Sequence, residues 1–117
     1  MTSLLLVINR APYDGTDIVW NALRLAGSAA EAGMRVRLFL MNDGVDIARM
    51  GVTPEGAEFD LQEMLREFIA GGLEVRLCQT CLTRCGIGKG ETMPEARVAG
   101  MKDLVAWVLD SEKVLSF

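Results

Sequence analysis

Three cysteines lie within eight consecutive positions of the sequence, at Cys78, Cys81 and Cys85. An odd number of closely spaced thiols does not form a disulfide framework. The chemistry that cysteine offers is that of its thiolate, which attacks sulfur, exchanges disulfides and binds metals. Polar residues and three glycines surround the cysteines, which is unusual for a packed core. The spacing therefore indicates a reactive site.

The 117 residues contain no histidine. Histidine is the commonest general base and the commonest metal ligand, so its absence excludes Ser-His-Asp and Cys-His hydrolases and His-rich metal centres. Exchange between a thiolate and a persulfide breaks and makes S–S bonds and needs no imidazole. The composition therefore leaves sulfur transfer as an accessible chemistry.

Cys78 comes directly after a stretch with strand periodicity, so we predict that its thiol lies at the carboxyl end of a strand. Backbone N–H groups of the following turn or helix favour the thiolate there, as do the nearby cations Arg84 and Lys89. We expect Cys78 to be an accessible nucleophile that is ionised near neutral pH. Cys81 and Cys85 are the predicted accessory or resolving thiols.

The elements that position this segment alternate between strand and helix. Strands are predicted at residues 4–8, 35–41, 73–77 and 113–117, with helices between them and a loop over 45–60. The last helix is predicted to follow Pro94, with Val98, Met101, Val105 and Val108 on one face. The order βαβαβαβ indicates a single three-layer α/β/α domain over residues 1–117, with a mostly parallel sheet and right-handed crossovers.

Ligands of open α/β sheets bind beyond the carboxyl ends of the strands. Three loops should meet at that edge, over residues 9–17, 42–48 and 78–90. Asn9, Asn42 and Asp43 are predicted to line the cysteine pocket, although Asn and Asp also serve as ordinary caps and turn formers. Separately, we expect Arg35, Arg37 and Arg76 on solvent-facing or subunit-facing strand positions.

Charge and hydropathy exclude several classes of partner. The formal net charge is −4, with acidic and basic residues interspersed, so we predict no nucleic-acid binding. No apolar run approaches the ~20 residues that span a bilayer, and residues 4–8 are too short for the core of a signal peptide. We therefore expect a cytoplasmic protein with reduced thiols and no membrane partner.

Three other interpretations of the cysteines stay open at this point. Free cysteines are often small buried hydrophobes. A C-x2-C spacing is common in metal sites, but such sites usually need four ligands, so a carboxylate or a cysteine from another subunit would have to complete one. Cys78 and Cys81 could also form a redox-active dithiol. At the level of function, the other alternative is a non-catalytic oligomeric protein that binds a metal or a small ligand. The leading interpretation requires no cofactor and no resident metal.

Several stretches resemble the DsrE/DsrF-like family, which includes the TusD and DsrE sulfur-relay subunits. They are NALRLA at 21–26, FLMNDGV at 39–45, the segment Cys78…Cys81…Arg84-Cys85-Gly86-Ile87, and the terminal helix and strand. The resemblance follows the family's order over nearly the whole chain. It implies the same α/β fold.

The resemblance also implies a function and partners. In the sulfurtransferases of this family, a cysteine directly after the third strand and eight residues before a glycine carries a persulfide, and Cys78 stands in that relation to Gly86. Cys85 departs from the family, which often has arginine there. The resemblance implies a persulfide carrier that works with sulfur donor and acceptor proteins and assembles as a homotrimer or hexamer.

Overall fold

A five-stranded parallel sheet forms the centre of the fold, in the order β4-β3-β2-β1-β5. The computed structural model describes residues 2–117. Helices cover both faces of the sheet, which confirms the predicted α/β class. The elements are β1 Ser3–Ile8, α1 Ile18–Glu31, β2 Arg35–Leu40, a 3₁₀ helix Asn42–Ala48, α2 Leu61–Ala70, β3 Glu74–Cys78, α3 Gln79–Arg84, β4 Arg97–Ala99, α4 Met101–Asp110 and β5 Lys113–Ser116.

Apolar runs and glycine stops place the first elements where the sequence predicts them. β1 is buried on both faces because it lies between β2 and β5 with helices above and below. α1 buries Val19, Leu23 and Ala26 against the sheet. The helix ends before Gly33, whose φ of +91° is a left-handed conformation that glycine adopts without strain. These elements confirm the helical and strand periodicities.

The predicted helix directly after Pro94 is wrong. Residues 97–99 instead form β4, which pairs with the open edge of β3 and contains Val98. α4 begins only at Met101, after Gly100, whose N–H donates to Asp103 Oδ2 at 2.8 Å. A strand of three residues is too short to show the alternation by which strands are recognised.

The apolar face predicted for the last helix is turned outward. Met101, Val105, Val108 and Leu109 are 60%, 50%, 43% and 83% exposed, and we call these four residues the exposed apolar row. The helix packs on the sheet through Leu104 and Trp107 instead. Despite this row, none of the helices in residues 2–117 has the length and apolar character needed to cross a bilayer.

The expectation that Arg37 faces solvent or a subunit is wrong for the single chain. Its side chain is 3% exposed, because α4 and the turn after it cover β2 at this point. Its guanidinium donates to Ser111 Oγ at 2.9 Å, lies 3.1 Å from Asp110 Oδ2, and stands over the ring of Trp107 at 5.1 Å. A buried guanidinium needs such partners. Arg35 is half exposed, as expected.

Candidate functional site

Cys78 and Cys81 are in direct contact where β3 runs into α3. Cys78 is both the last residue of β3 and the N-cap of α3, so its side chain turns toward the first turn of the helix. Its Sγ accepts a hydrogen bond from the N–H of Cys81 at 3.2 Å, and the sulfur atoms of the two residues are in direct contact. The sulfur of Cys78 therefore faces one backbone donor and a second thiol.

Two asparagines extend this contact across the carboxyl edge of the sheet. The N–H of Asn42 donates to Cys81 Sγ at 3.1 Å, and its side-chain amide donates to Asn9 Oδ1 at 2.8 Å. Asn9 Nδ2 donates in turn to the carbonyl of Phe117 at 3.2 Å. Asn42 has a φ of +51°, a left-handed conformation that asparagine tolerates better than most residues. We call Cys78, Cys81, Asn42 and Asn9 the thiol–amide network.

Gly44 fixes the distance between the 3₁₀ helix and β1. A Cβ atom at this position would lie 2.1 Å from the carbonyl oxygen of Ile8 and 2.8 Å from its carbonyl carbon. Only glycine permits this approach of two backbone segments. The close packing holds Asn42 beside Asn9 and so supports the thiol–amide network.

The three thiols differ in exposure. Cys78 is 7% exposed, so the expectation of an open Cys78 is wrong, whereas Cys81 is partly exposed and Cys85 is exposed. Burial raises the pKa of the Cys81 thiol, and the contact with Cys78 raises it further, while the N–H of Asn42 acts in the opposite direction. Cys81 is therefore chiefly a protonated thiol at neutral pH.

The cations predicted beside Cys78 lie at other places around α3. Arg84 is in the last turn of α3, about 9 Å of helical rise from Cys78. Lys89 lines a cavity of about 480 Å³ together with Gln79 and Leu82. Neither cation donates to a cysteine sulfur within the described part of the chain. Their role in stabilising charge stays a prediction.

A cation that the sequence interpretation missed shares a sheet face with Cys78. Arg76 precedes Cys78 by two residues in β3, and alternation puts both on one face about 7 Å apart. Its side chain is 22% exposed and its guanidinium stands over the ring of Trp107 at 5.1 Å. The alternating pattern of residues 73–77 was the signal that could have identified it.

Asp43 is exposed in the first turn of the 3₁₀ helix, next to Asn42, and stands outside the thiol–amide network. Across residues 2–117, no three cysteine, aspartate or glutamate side chains come together as a group that could hold a metal ion.

Comparisons with known proteins identify the family and the fold. Residues 2–117 match the DsrE/DsrF-like family. Protein YchN of Escherichia coli is 34% identical over 119 residues, and the match covers 100% of this chain and 100% of YchN. A Methanopyrus kandleri protein is 36% identical over 111 residues, which are 95% of this chain and 90% of that one.

Solved structures share the fold over its full length. The crystal structure of the ychN protein from E. coli matches with a TM-score of 0.90 at 34% identity, covering 100% of both chains. A Methanobacterium thermoautotrophicum protein of unknown function matches with a TM-score of 0.74 at 13% identity, again over 100% of both chains. The second likeness concerns the fold alone.

Proposed function

Since the chain belongs to the DsrE/DsrF-like family, we propose that it carries sulfane sulfur as a persulfide on Cys78, between sulfur donor and acceptor proteins. The family supports a role of the sulfur-relay type. The assignment to Cys78 rests on one observation: its sulfur, at the carboxyl edge of a parallel sheet, accepts the N–H of Cys81 and touches the Cys81 sulfur.

The N–H donor suits a sulfur that gains and loses negative charge. Donors aimed at an anionic atom form the stronger class of hydrogen bond, because charge adds to the attraction. The exchange itself consists of thiolate attack on a sulfane sulfur and needs neither an imidazole nor a metal. Cys78 belongs to the buried apolar cluster, so we expect a persulfide at this position to be shielded from water and soluble thiols.

We expect the wild-type protein to gain about one sulfur atom, ~32 Da, on Cys78 after incubation with glutathione persulfide. The Cys78→Ser variant should retain at least tenfold less stable sulfur after the donor is removed, because the other two thiols are more exposed. Intact-mass spectrometry and peptide mapping measure both quantities. Equal stable gains in the two proteins would contradict the assignment.

The contact between the two sulfur atoms also supports a second candidate, a dithiol that cycles to a disulfide between Cys78 and Cys81. Mild oxidation should then remove two hydrogen atoms from the mass, and the oxidised protein should accept no sulfur on Cys78 or Cys81. If this disulfide forms and the reduced protein takes up no sulfur from the donor, the redox role is favoured over the persulfide role.

We also expect assembly into homotrimers or hexamers, which the exposed apolar row of α4 supports. The mass from sedimentation equilibrium should be three or six times the 12.8 kDa of one chain. Leu109→Glu places a charge in this row and should weaken assembly at least tenfold, because burying an unpaired carboxylate is unfavourable. Lys102→Glu, an exposed charge change on the same helix, is the control. A monomeric wild-type protein would contradict this expectation.

A further inference from the structure

Cys78 is poorly placed to meet a sulfur donor directly. It is 7% exposed and packs with apolar neighbours, so the terminal sulfur of a donor persulfide has little room to approach it in line. Cys81 touches Cys78 and is partly exposed, and Cys85 is exposed. The three thiols thus form a series from the surface to the core.

Cys81 lies in α3 and Cys85 is the C-cap of this helix. Cys78 precedes the helix as its extended N-cap and reaches Cys81 by direct contact. Cys85 keeps helical geometry, with φ −85° and ψ −1°, and its N–H donates to the carbonyl of Cys81 at 3.0 Å. Residues four apart on a helix have Cβ atoms about 5–6 Å apart, so Cys85 and Cys81 are neighbours.

We propose that Cys85 is the entry thiol, and that sulfane sulfur passes from it through Cys81 to Cys78. This inference rests on the proposed function and adds the route by which the sulfane sulfur reaches Cys78. Cys85 meets the donor, Cys81 holds the sulfur briefly, and Cys78 stores it.

Each step is an exchange in which atoms and electrons balance. The Cys85 thiolate attacks the terminal sulfur of the donor R–S–SH, the donor S–S bond breaks, and RS⁻ leaves with the proton that Cys85 lost. Cys81, which is protonated, gives up its proton as it attacks the outer sulfur of the Cys85 persulfide, and Cys85 leaves as a thiolate that takes up this proton. Cys78 repeats this attack on the Cys81 persulfide. One sulfane sulfur moves at each step, so no external oxidant or reductant is consumed.

The last step matches the observed contact between the two sulfur atoms. Cys78 loses its proton as it attacks, and Cys81 regains one as it leaves, so the two thiols are again in contact. At the other end of the route, Arg84 and Lys89 are exposed and lie one and four residues from Cys85 in the sequence. Exposed cations in this segment favour the approach of an anionic donor such as glutathione persulfide.

The route can be followed by quenching the reaction with glutathione persulfide at successive times and mapping the peptides. Trypsin cleaves after Arg84 and so separates Cys85 from Cys78 and Cys81, which fragmentation then resolves. In the wild type, sulfur should appear first on Cys85 and last on Cys78. Cys85→Ser should slow the loading of Cys78 at least tenfold, and Cys81→Ser should leave sulfur on Cys85.

Thr80→Ala alters an exposed residue of the same helix and should load Cys78 at the wild-type rate. Thermal melting checks that each variant is folded. Loading of Cys78 in Cys85→Ser at the wild-type rate would overturn the route while leaving the proposed function standing. A wild-type protein that takes no sulfur on Cys78 would contradict the proposed function, and the route would fall with it.

Discussion

Gly44→Ala is expected to lower the free energy of unfolding by about 3 kcal/mol or more, which is over a hundredfold in the folding equilibrium. The added Cβ would lie 2.1 Å from the backbone oxygen of Ile8, so the 3₁₀ helix and β1 must move apart. Such a shift also displaces Asn42 from Asn9 and Cys81. Urea denaturation monitored by tryptophan fluorescence measures the change in stability.

Gly71→Ala is the matched control for this substitution. Gly71 has a φ of −82° at the end of α2, and an added Cβ there would meet backbone oxygens at 3.4 and 3.5 Å, which is ordinary contact. Its free energy of unfolding should stay within about 1 kcal/mol of the wild type or rise slightly. Equal stabilities of the two variants would show that the backbone of Ile8 leaves room for a Cβ atom at Gly44.

The alkylation rate of Cys81 by iodoacetamide should rise about tenfold per pH unit from pH 7 and about a hundredfold by pH 9. Only the thiolate reacts, and burial together with Cys78 raises the pKa of Cys81 above its usual range. The thiolate is then the minor species over this interval. Peptide mapping in a Cys85→Ser background follows the rate at this one site.

Glutathione, whose thiol has an ordinary pKa, is the reference for this profile and should level off above pH of about 8.5–9. A Cys81 profile that levels off earlier than that of glutathione would contradict the raised pKa. The raised pKa of Cys81 also makes stability depend on pH, because the folded state binds the Cys81 proton more tightly than the unfolded state does. Its stabilising contribution is therefore present below the ordinary thiol pKa and is lost as pH rises through the higher folded value.

Periodicity was sufficient to predict most of the fold. Residues 4–8 form a continuous apolar run because β1 is buried on both faces, and this pattern identifies a central parallel strand. β4 is not predicted because its three residues, Arg97–Ala99, are too few to show the alternation of apolar and polar side chains. Their strand conformation results from pairing with the edge of β3. The 3₁₀ helix is not predicted because its buried residues, Val45, Ile47 and Ala48, do not follow the α-helical period.

The site was predictable in position but not in exposure. Connectivity alone puts residues 9, 42 and 78 at the carboxyl edge of a parallel sheet, where the structure joins them in one hydrogen-bonded network. How deeply Cys78 is buried depends on the packing of Leu82 and Ile87 from the following segment, which no local pattern encodes. The burial of Arg37 likewise depends on α4, which lies more than sixty residues further along the chain.

The bond from Asn9 to the carbonyl of Phe117 joins residues that are 108 positions apart. β5 beside it is an edge strand of four exposed residues, held on one side only by β1. Closing such a long loop is entropically unfavourable, so this edge should form late in folding and be among the first parts of the native state to open. Each opening breaks the bond of the Asn9 side-chain amide, and Asn9 also accepts the side-chain amide of Asn42. The residue after β5 is thus two hydrogen bonds away from Asn42, whose N–H donates to the Cys81 sulfur.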